Sequence, residues 1–205
     1  MISVDVMRKR LRRAKKLVKH GIDKLRYEHL CILEGVTSSK LSDMETSFLT
    51  LLTTIVTFIA NGDIPSPIHP YFQDAEISAV GDKLHPVCTC GSLRKLGAME
   101  GFSRSSSFNK EFFKNVNLAF EPAGPEQIVH SLRLSMSLYP SHDTFLGDGK
   151  NGFNSASRIR AFANIIKHHP RPFPHILAMH GCSSRVWYFG LQDQIHPINC
   201  EVGAQ

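Results

Sequence analysis

The sequence has no Asn-x-Ser/Thr acceptor, and no apolar core follows its basic start, which together argue against secretion. Its cysteines are few and odd in number: Cys31, Cys88, Cys90, Cys182 and Cys200 are scattered over 205 residues without disulfide-framework spacing. Cys88 and Cys90 are too close for paired zinc ligands, and no second pair has the required gap. Reduced thiols in an intracellular compartment, nuclear or cytoplasmic, are therefore expected. The longest apolar run, Phe48–Ala60, is broken by Thr53, Thr54 and Thr57 and is too short for a bilayer, so no stable membrane insertion is expected. Three signatures, of phosphate binding, calcium binding and a nucleophilic serine, are also missing. A Walker loop fails because Asn151 follows Lys150, an EF-hand from Asp148 fails because Ile159 holds its twelfth position, and no Gly-x-Ser-x-Gly elbow occurs.

What is present is a chain with 42% hydrophobic residues, enough for one sizeable core, and an uneven charge. Residues 1–20 hold eight of the 24 Lys and Arg against a single acid, Asp5, while the rest carries 16 basic and 17 acidic residues. All the positive balance lies at the N-terminus. There Val4, Met7, Leu11, Ala14, Leu17 and Val18 recur at three- and four-residue spacing, which predicts a basic amphipathic helix over 1–20, separate from a body over 21–205. Arg8, Lys9, Arg10, Arg12, Arg13, Lys15 and Lys16 are its candidate phosphate contacts, because clustered cations bind nucleic acid by releasing counterions. Nuclear import, a membrane-surface helix, a mitochondrial presequence and a solvated helix packed on the body are the competing readings.

Gly21 should end that helix. Ser42 and Glu45 form a capping box for a helix running to an Asn61-Gly62 stop. Three prolines predict an extended connection over 63–70. Residues 75–80 and 84–90 read as a hairpin around Gly81-Asp82, and 92–99 as a helix. Ser103–Ser107 reads as a polar link, Pro125 as a helix start for a segment reaching Tyr139, and Ser155–His168 as a further helix. Residues 169–174 read as a stiff linker and 186–191 as a strand. His168, His169, His175 and His180 are expected in loops beside prolines, and both thiols of Cys88 and Cys90 on a core-facing strand. The fold class is α+β.

Residues 146–158 read Leu-Gly-Asp-Gly-Lys-Asn-Gly-Phe-Asn-Ser-Ala-Ser-Arg. By themselves Gly147-Asp148-Gly149 make a turn with a helix-capping Asp. Asp148 five residues before Phe153 also resembles the first metal-binding motif of non-LTR retroelement (retrotransposon) reverse transcriptases. Other segments are similar to the same family in the same order: Gly21-Ile-Asp-Lys-Leu-Arg-Tyr-Glu-His-Leu30, Ala60-Asn-Gly-Asp-Ile-Pro65, Leu84-His-Pro-Val-Cys-Thr-Cys-Gly-Ser-Leu-Arg-Lys-Leu96, Gly124-Pro-Glu-Gln-Ile-Val-His130 and Glu201-Val-Gly-Ala-Gln205. The resemblance spans roughly Gly21 to Gln205.

It implies an incomplete fingers–palm polymerase-like domain, mostly helical with short antiparallel strands, and an ancestral RNA-directed DNA polymerase reaction on an RNA or DNA template. Asp148 would be the catalytic magnesium ligand and Phe153 would lie under the nucleotide sugar. Lys83, His85, Arg94 and Lys95 would be the fingers residues near nucleotide or template phosphates. His85 departs from the family's Arg and cannot make a bidentate guanidinium clamp. Gly149 and Gly152 replace bulkier residues. The family's Gln-Gly-Asp-Pro segment and paired Asp-Asp would fall after Gln205, and a two-metal reaction needs those carboxylates. The expectation is an N-terminal fragment, inactive alone. The alternative is a small nucleic-acid-binding or scaffold protein acting through its basic arm.

Overall fold

A computed structural model describes residues 2–14, 18–33, 43–80, 85–114, 117–118, 121–145, 147, 155–189 and 194–200. The elements are α1 (Val4–Arg13), α2 (Tyr27–Leu33), α3 (Asp43–Asn61), α4 (His69–Gln73), β1 (Ala75–Val80), β2 (His85–Cys90), α5 (Ser92–Phe113), α6 (Gly124–Leu138), α7 (Arg158–His168), α8 (Phe173–His180), β3 (Ser184–Phe189) and β4 (Ile195–Cys200). The chain is α+β, with one four-stranded sheet in the order β2-β1-β3-β4. Two antiparallel hairpins, β1–β2 and β3–β4, join through a parallel β1–β3 pairing in which Ala75 faces Val186. Contacts divide the chain into one unit of Met1–Phe102 with Phe153–Gln205 and another of Ser103–Gly152.

The N-terminal helix is shorter than expected and is part of the core. Ser3 caps it, its Oγ accepting the Val6 N–H, and it stops at Arg13. Met7 and Leu11 are fully buried with Ile2, Leu30, Leu49, Leu52, Val56 and Leu96. Val18 to Gly21 are not helical. They cross β1 instead, because Lys19 and His20 reach Glu76 and because Gly21 lies so close to the Cys90 carbonyl that a Cβ would collide with it.

The α3 helix follows the expected pattern. It begins right after Ser42 and buries Leu49, Leu52, Val56 and Ile59; the Ser42–Glu45 capping box lies outside the described side chains. The buried Thr53 and Thr57 hydroxyls satisfy themselves by donating to the Leu49 and Thr53 carbonyls. At its end Gly62 takes φ +77°; its N–H donates to Ile59 O and that of Asp63 to Phe58 O, the paired bonds of a Schellman cap.

Several connections carry more helix than expected. Within 63–70, residues Ser66–Ile68 form a 3₁₀ turn and α4 follows with Pro70 in its first turn, where a missing N–H leaves no bond unmade. Pro174 likewise stands in the first turn of α8, so 169–174 is a tight turn into a helix. Ser103–Ser107 belongs to α5, which runs unbroken to Phe113. Serine lowers helix propensity by only tenths of a kcal/mol per residue, and neither Gly nor Pro follows Gly101 to stop propagation. Pro125 starts α6 as expected. Ser157 caps α7, whose first helical residue, Arg158, comes three residues after the expected start at Ser155.

Strand β3 begins at Ser184, two residues before the expected strand, and residues 190–191 lie outside the described set. Strand β4 was not expected, since Pro197 argues against a central strand; as the sheet's edge, β4 tolerates it. β2 is the opposite edge. That position corrects the expectation for Cys88, which is exposed, and for Cys90, which is half-buried.

Candidate functional site

The cations of α1 separate into two groups. Arg10 points inward to Glu100 at 2.6 Å, and Arg8 pairs with Asp5 at 3.0 Å. Lys9, Arg12 and Arg13 lie on the exposed face; Lys15 and Lys16 fall outside the described residues. The helix is therefore a docked element whose outer surface is basic.

Two segments singled out in the sequence interlock. The Asp23 carboxylate accepts the Ser92 N–H at 2.9 Å, which caps the start of α5, and Ser92 Oγ donates to Leu25 O at 2.7 Å. The stretch beginning at Gly21 is thereby fastened to the β2–α5 junction.

Beside this junction is a carboxylate that sequence reasoning missed. Glu76, on β1, is buried and holds Lys19 at 2.6 Å and Lys24 at 3.3 Å, with His20 Nδ1 at 3.9 Å. Burial pushes its carboxyl up, but the hydrogen bonds and charges of Lys19 and Lys24 outweigh this and hold it below the usual range. Lys19 also donates to Ser78, and Lys24 lies 4.5 Å over the Phe189 ring. One residue before β1, buried Asp74 gathers the far hairpin: it accepts from Arg185 N, Nε and Nη2 and from Trp187 Nε1 at 2.9 Å. No local signal marks either acid, because their partners are fixed only by strand pairing.

The candidate nucleotide contacts are dispersed. Lys83 and the side chain of His85 lie outside the described residues, as do Asp148 and Phe153. Lys95 is half-buried on α5. Arg94 is buried, only 6% exposed, and its Nη1 donates to Gln73 O at 3.1 Å. Gln73 in turn donates through Nε2 to Ala178 O at 2.8 Å, which ties α5, α4 and α8 together.

On the α8 side, His175 and His180 are helical residues rather than loop residues; His168 is the last residue of α7 and His169 its cap. Buried His175 donates from Nδ1 to Ile59 O at 2.7 Å. Burial lowers its pKa, the hydrogen bond to Ile59 opposes that, and Arg94 lowers it further. His180 is pushed down to about 4, first by burial and then by Arg94, Arg158 and His175. Arg158, at the start of α7, donates to the carbonyls of His180, Cys182 and Cys200 at 3.3, 2.7 and 3.3 Å.

Among the described residues no three His, Cys, Asp or Glu side chains converge on a point that would hold a metal. The described side chains therefore do not fit a magnesium site, and that expectation rests on Asp148. No single described helix is long and apolar enough to cross a membrane. No protein-family model, curated protein or solved structure matches the chain.

Proposed function

We propose that this chain is a partial reverse transcriptase-type domain of a retroelement, a piece of an RNA-directed DNA polymerase that engages an RNA or DNA template. The observation that carries the reading is the order of the similar segments between Gly21 and Gln205. The Asp23–Ser92 and Leu25–Ser92 bonds support it, since they join two of those segments in space. In this reading Asp148 would hold magnesium, which supplies charge stabilisation at the transferred phosphate, and Phe153 would face the sugar. His85, Lys83, Arg94 and Lys95 would serve the phosphates. The 205 residues contain no paired Asp-Asp, so on their own they are proposed to bind nucleic acid without extending a primer.

Sequencing the transcript past the Gln205 codon tests this reading. It predicts an in-frame Gln-Gly-Asp-Pro and a paired Asp-Asp, and loss of DNA synthesis by the longer protein with Asp148→Ala. Synthesis that survives D148A would sink it.

A second reading, a small nucleic-acid-binding or scaffold protein, is favoured by the exposed Lys9, Arg12 and Arg13 on a helix whose other face is locked into the core. Changing all three to Gln should reduce the salt slope of single-strand binding by about 2, each lost phosphate contact removing ~0.7. An unchanged slope would move the binding surface elsewhere.

A further inference from the structure

We propose that the face of the sheet carrying Trp187 and Phe189 is a stacking platform for single-stranded nucleic acid. Alternation along the strands separates the two faces of the sheet. Ala75 and Val186 are partners in register and both are buried, so they mark the face turned to the core. Glu76 and Trp187, the next pair, stand on the opposite face, together with Arg185 and Phe189. On that face Trp187 lies beside Pro197 and Phe189 beside Ile195. Trp187 is half-buried and the other three are exposed. The result is an apolar strip with two aromatic rings, open to solvent.

Each ring carries a cation. The Arg185 guanidinium lies 4.9 Å from the centre of the Trp187 ring and the Lys24 ammonium 4.5 Å from that of Phe189. Charge in this cluster is sorted by depth: Asp74 and Glu76 are buried, whereas Lys19, Lys24 and Arg185 are each about half exposed. Solvent therefore meets cations beside aromatic rings. That is the complement of a single strand, which offers phosphates and the faces of unpaired bases; a duplex keeps those faces stacked away. The platform is preorganised, since the Asp74 carboxylate accepts from Trp187 Nε1 and from Nε and Nη2 of Arg185. A base stacks on a guanidinium plane as well as on a ring. At Phe189 it would take the place of the Lys24 ammonium, which moves to the adjoining phosphate while Lys19 still compensates Glu76. Residues two apart in a strand stand roughly 7 Å from each other, so each ring has room for its own base.

The surface uses none of the residues assigned above to catalysis, to nucleotide phosphates or to the basic helix. It deepens the nucleic-acid reading and rests on it for the kind of partner. Trp187 is the only tryptophan of the chain, so its fluorescence reports on this face alone. The test titrates the purified full chain with short oligo(U), with oligo(dT) and with heparin, a polyanion without bases. Anisotropy of the end-labelled oligonucleotides follows binding in parallel. Both oligonucleotides should quench Trp187 as they bind, and heparin should not; the tighter of the two identifies the strand as RNA or DNA. Phe189→Ala should weaken binding about tenfold through loss of one stacked base, and Phe189→Tyr should restore it. Lys24→Gln should instead lower the salt slope by ~0.7, as one phosphate contact is lost. Phe145→Ala, which removes an exposed ring outside the sheet, should bind as wild type does. The quench itself needs no substitution, so a variant that fails to fold leaves the test intact.

Oligonucleotide binding that leaves Trp187 fluorescence unchanged, equal quenching by heparin, or equal affinity of F189A and wild type would overturn the platform and leave the nucleic-acid reading standing. No binding of either oligonucleotide overturns both. If the oligonucleotides quench Trp187 and bind through Phe189 while the transcript lacks Gln-Gly-Asp-Pro, the platform stands and the polymerase reading fails.

Discussion

At the scale of single residues, α8 carries an acid sensitivity with a definite sign. His180 has a folded pKa of about 4 against an ordinary value of 6.5, and burial pushes His175 in the same direction. The unfolded chain therefore binds protons first as pH falls. Their stabilisation is complete above about pH 6.5 and is lost toward pH 4, with at most ~3 kcal/mol at stake for His180. Glu76 is also depressed, but from the carboxylate range, so its contribution is lost lower, as pH falls through its folded value below 4.5. Urea melts at pH 7.5 and 5 should show a drop in stability that His180→Gln diminishes. An identical drop in H180Q would mean that His180 is not protonated on unfolding. Neither this histidine nor Arg94 announces its burial in sequence: Arg94 reads as half of an Arg-Lys pair on a helix surface, and only the packing of α4 and α8 makes it interior.

At the scale of elements, the Schellman cap of α3 and the seat of α8 meet at one residue. Gly62 has φ +77°, and a Cβ there would collide with the Pro174 carbonyl. Gly62→Ala should cost about 2 kcal/mol or more in chemical unfolding, because left-handed strain and the collision add. A change within a few tenths would show that the two helices separate freely there. The stop at Asn61-Gly62 was legible because its code is local. The continuity of α5 through Ser103–Ser107 was not, since serine is equally at home in links and near helix ends. Ser107→Pro distinguishes the two: in an unbroken helix it should cost ~3 kcal/mol and reduce the helical circular dichroism signal. In a link it would cost nothing.

At the scale of the whole molecule, the basic N-terminus is welded to its unit. Met7 and Leu11 are 0% and 1% exposed, in one core with Leu30, Leu49 and Leu96. Met7→Ala should destabilise by 2–5 kcal/mol, typical of a buried long side chain cut back with its cavity left behind. A thermal midpoint unchanged by M7A would restore the detached-arm picture. For the same reason, removing residues 1–20 would confound nucleic-acid binding with unfolding, and charge changes at Lys9, Arg12 and Arg13 are the cleaner probe.

The sequence by itself determined what short-range chemistry encodes. The apolar spacing and glycine stop of α3, the β1–β2 hairpin, the proline start of α6 and the amphipathic character of α1 all depend on residues within a few positions of one another. Tertiary structure alone decided the parallel β1–β3 pairing, the membership of Pro197 in an edge strand, and the burial of Arg94. The bonds responsible, Gln73 to Ala178, Asp74 to Arg185 and His175 to Ile59, join residues 105, 111 and 116 positions apart. Such partners are chosen by which surfaces the packed helices and strands bring together, and the residues on either side of each partner carry no trace of that choice.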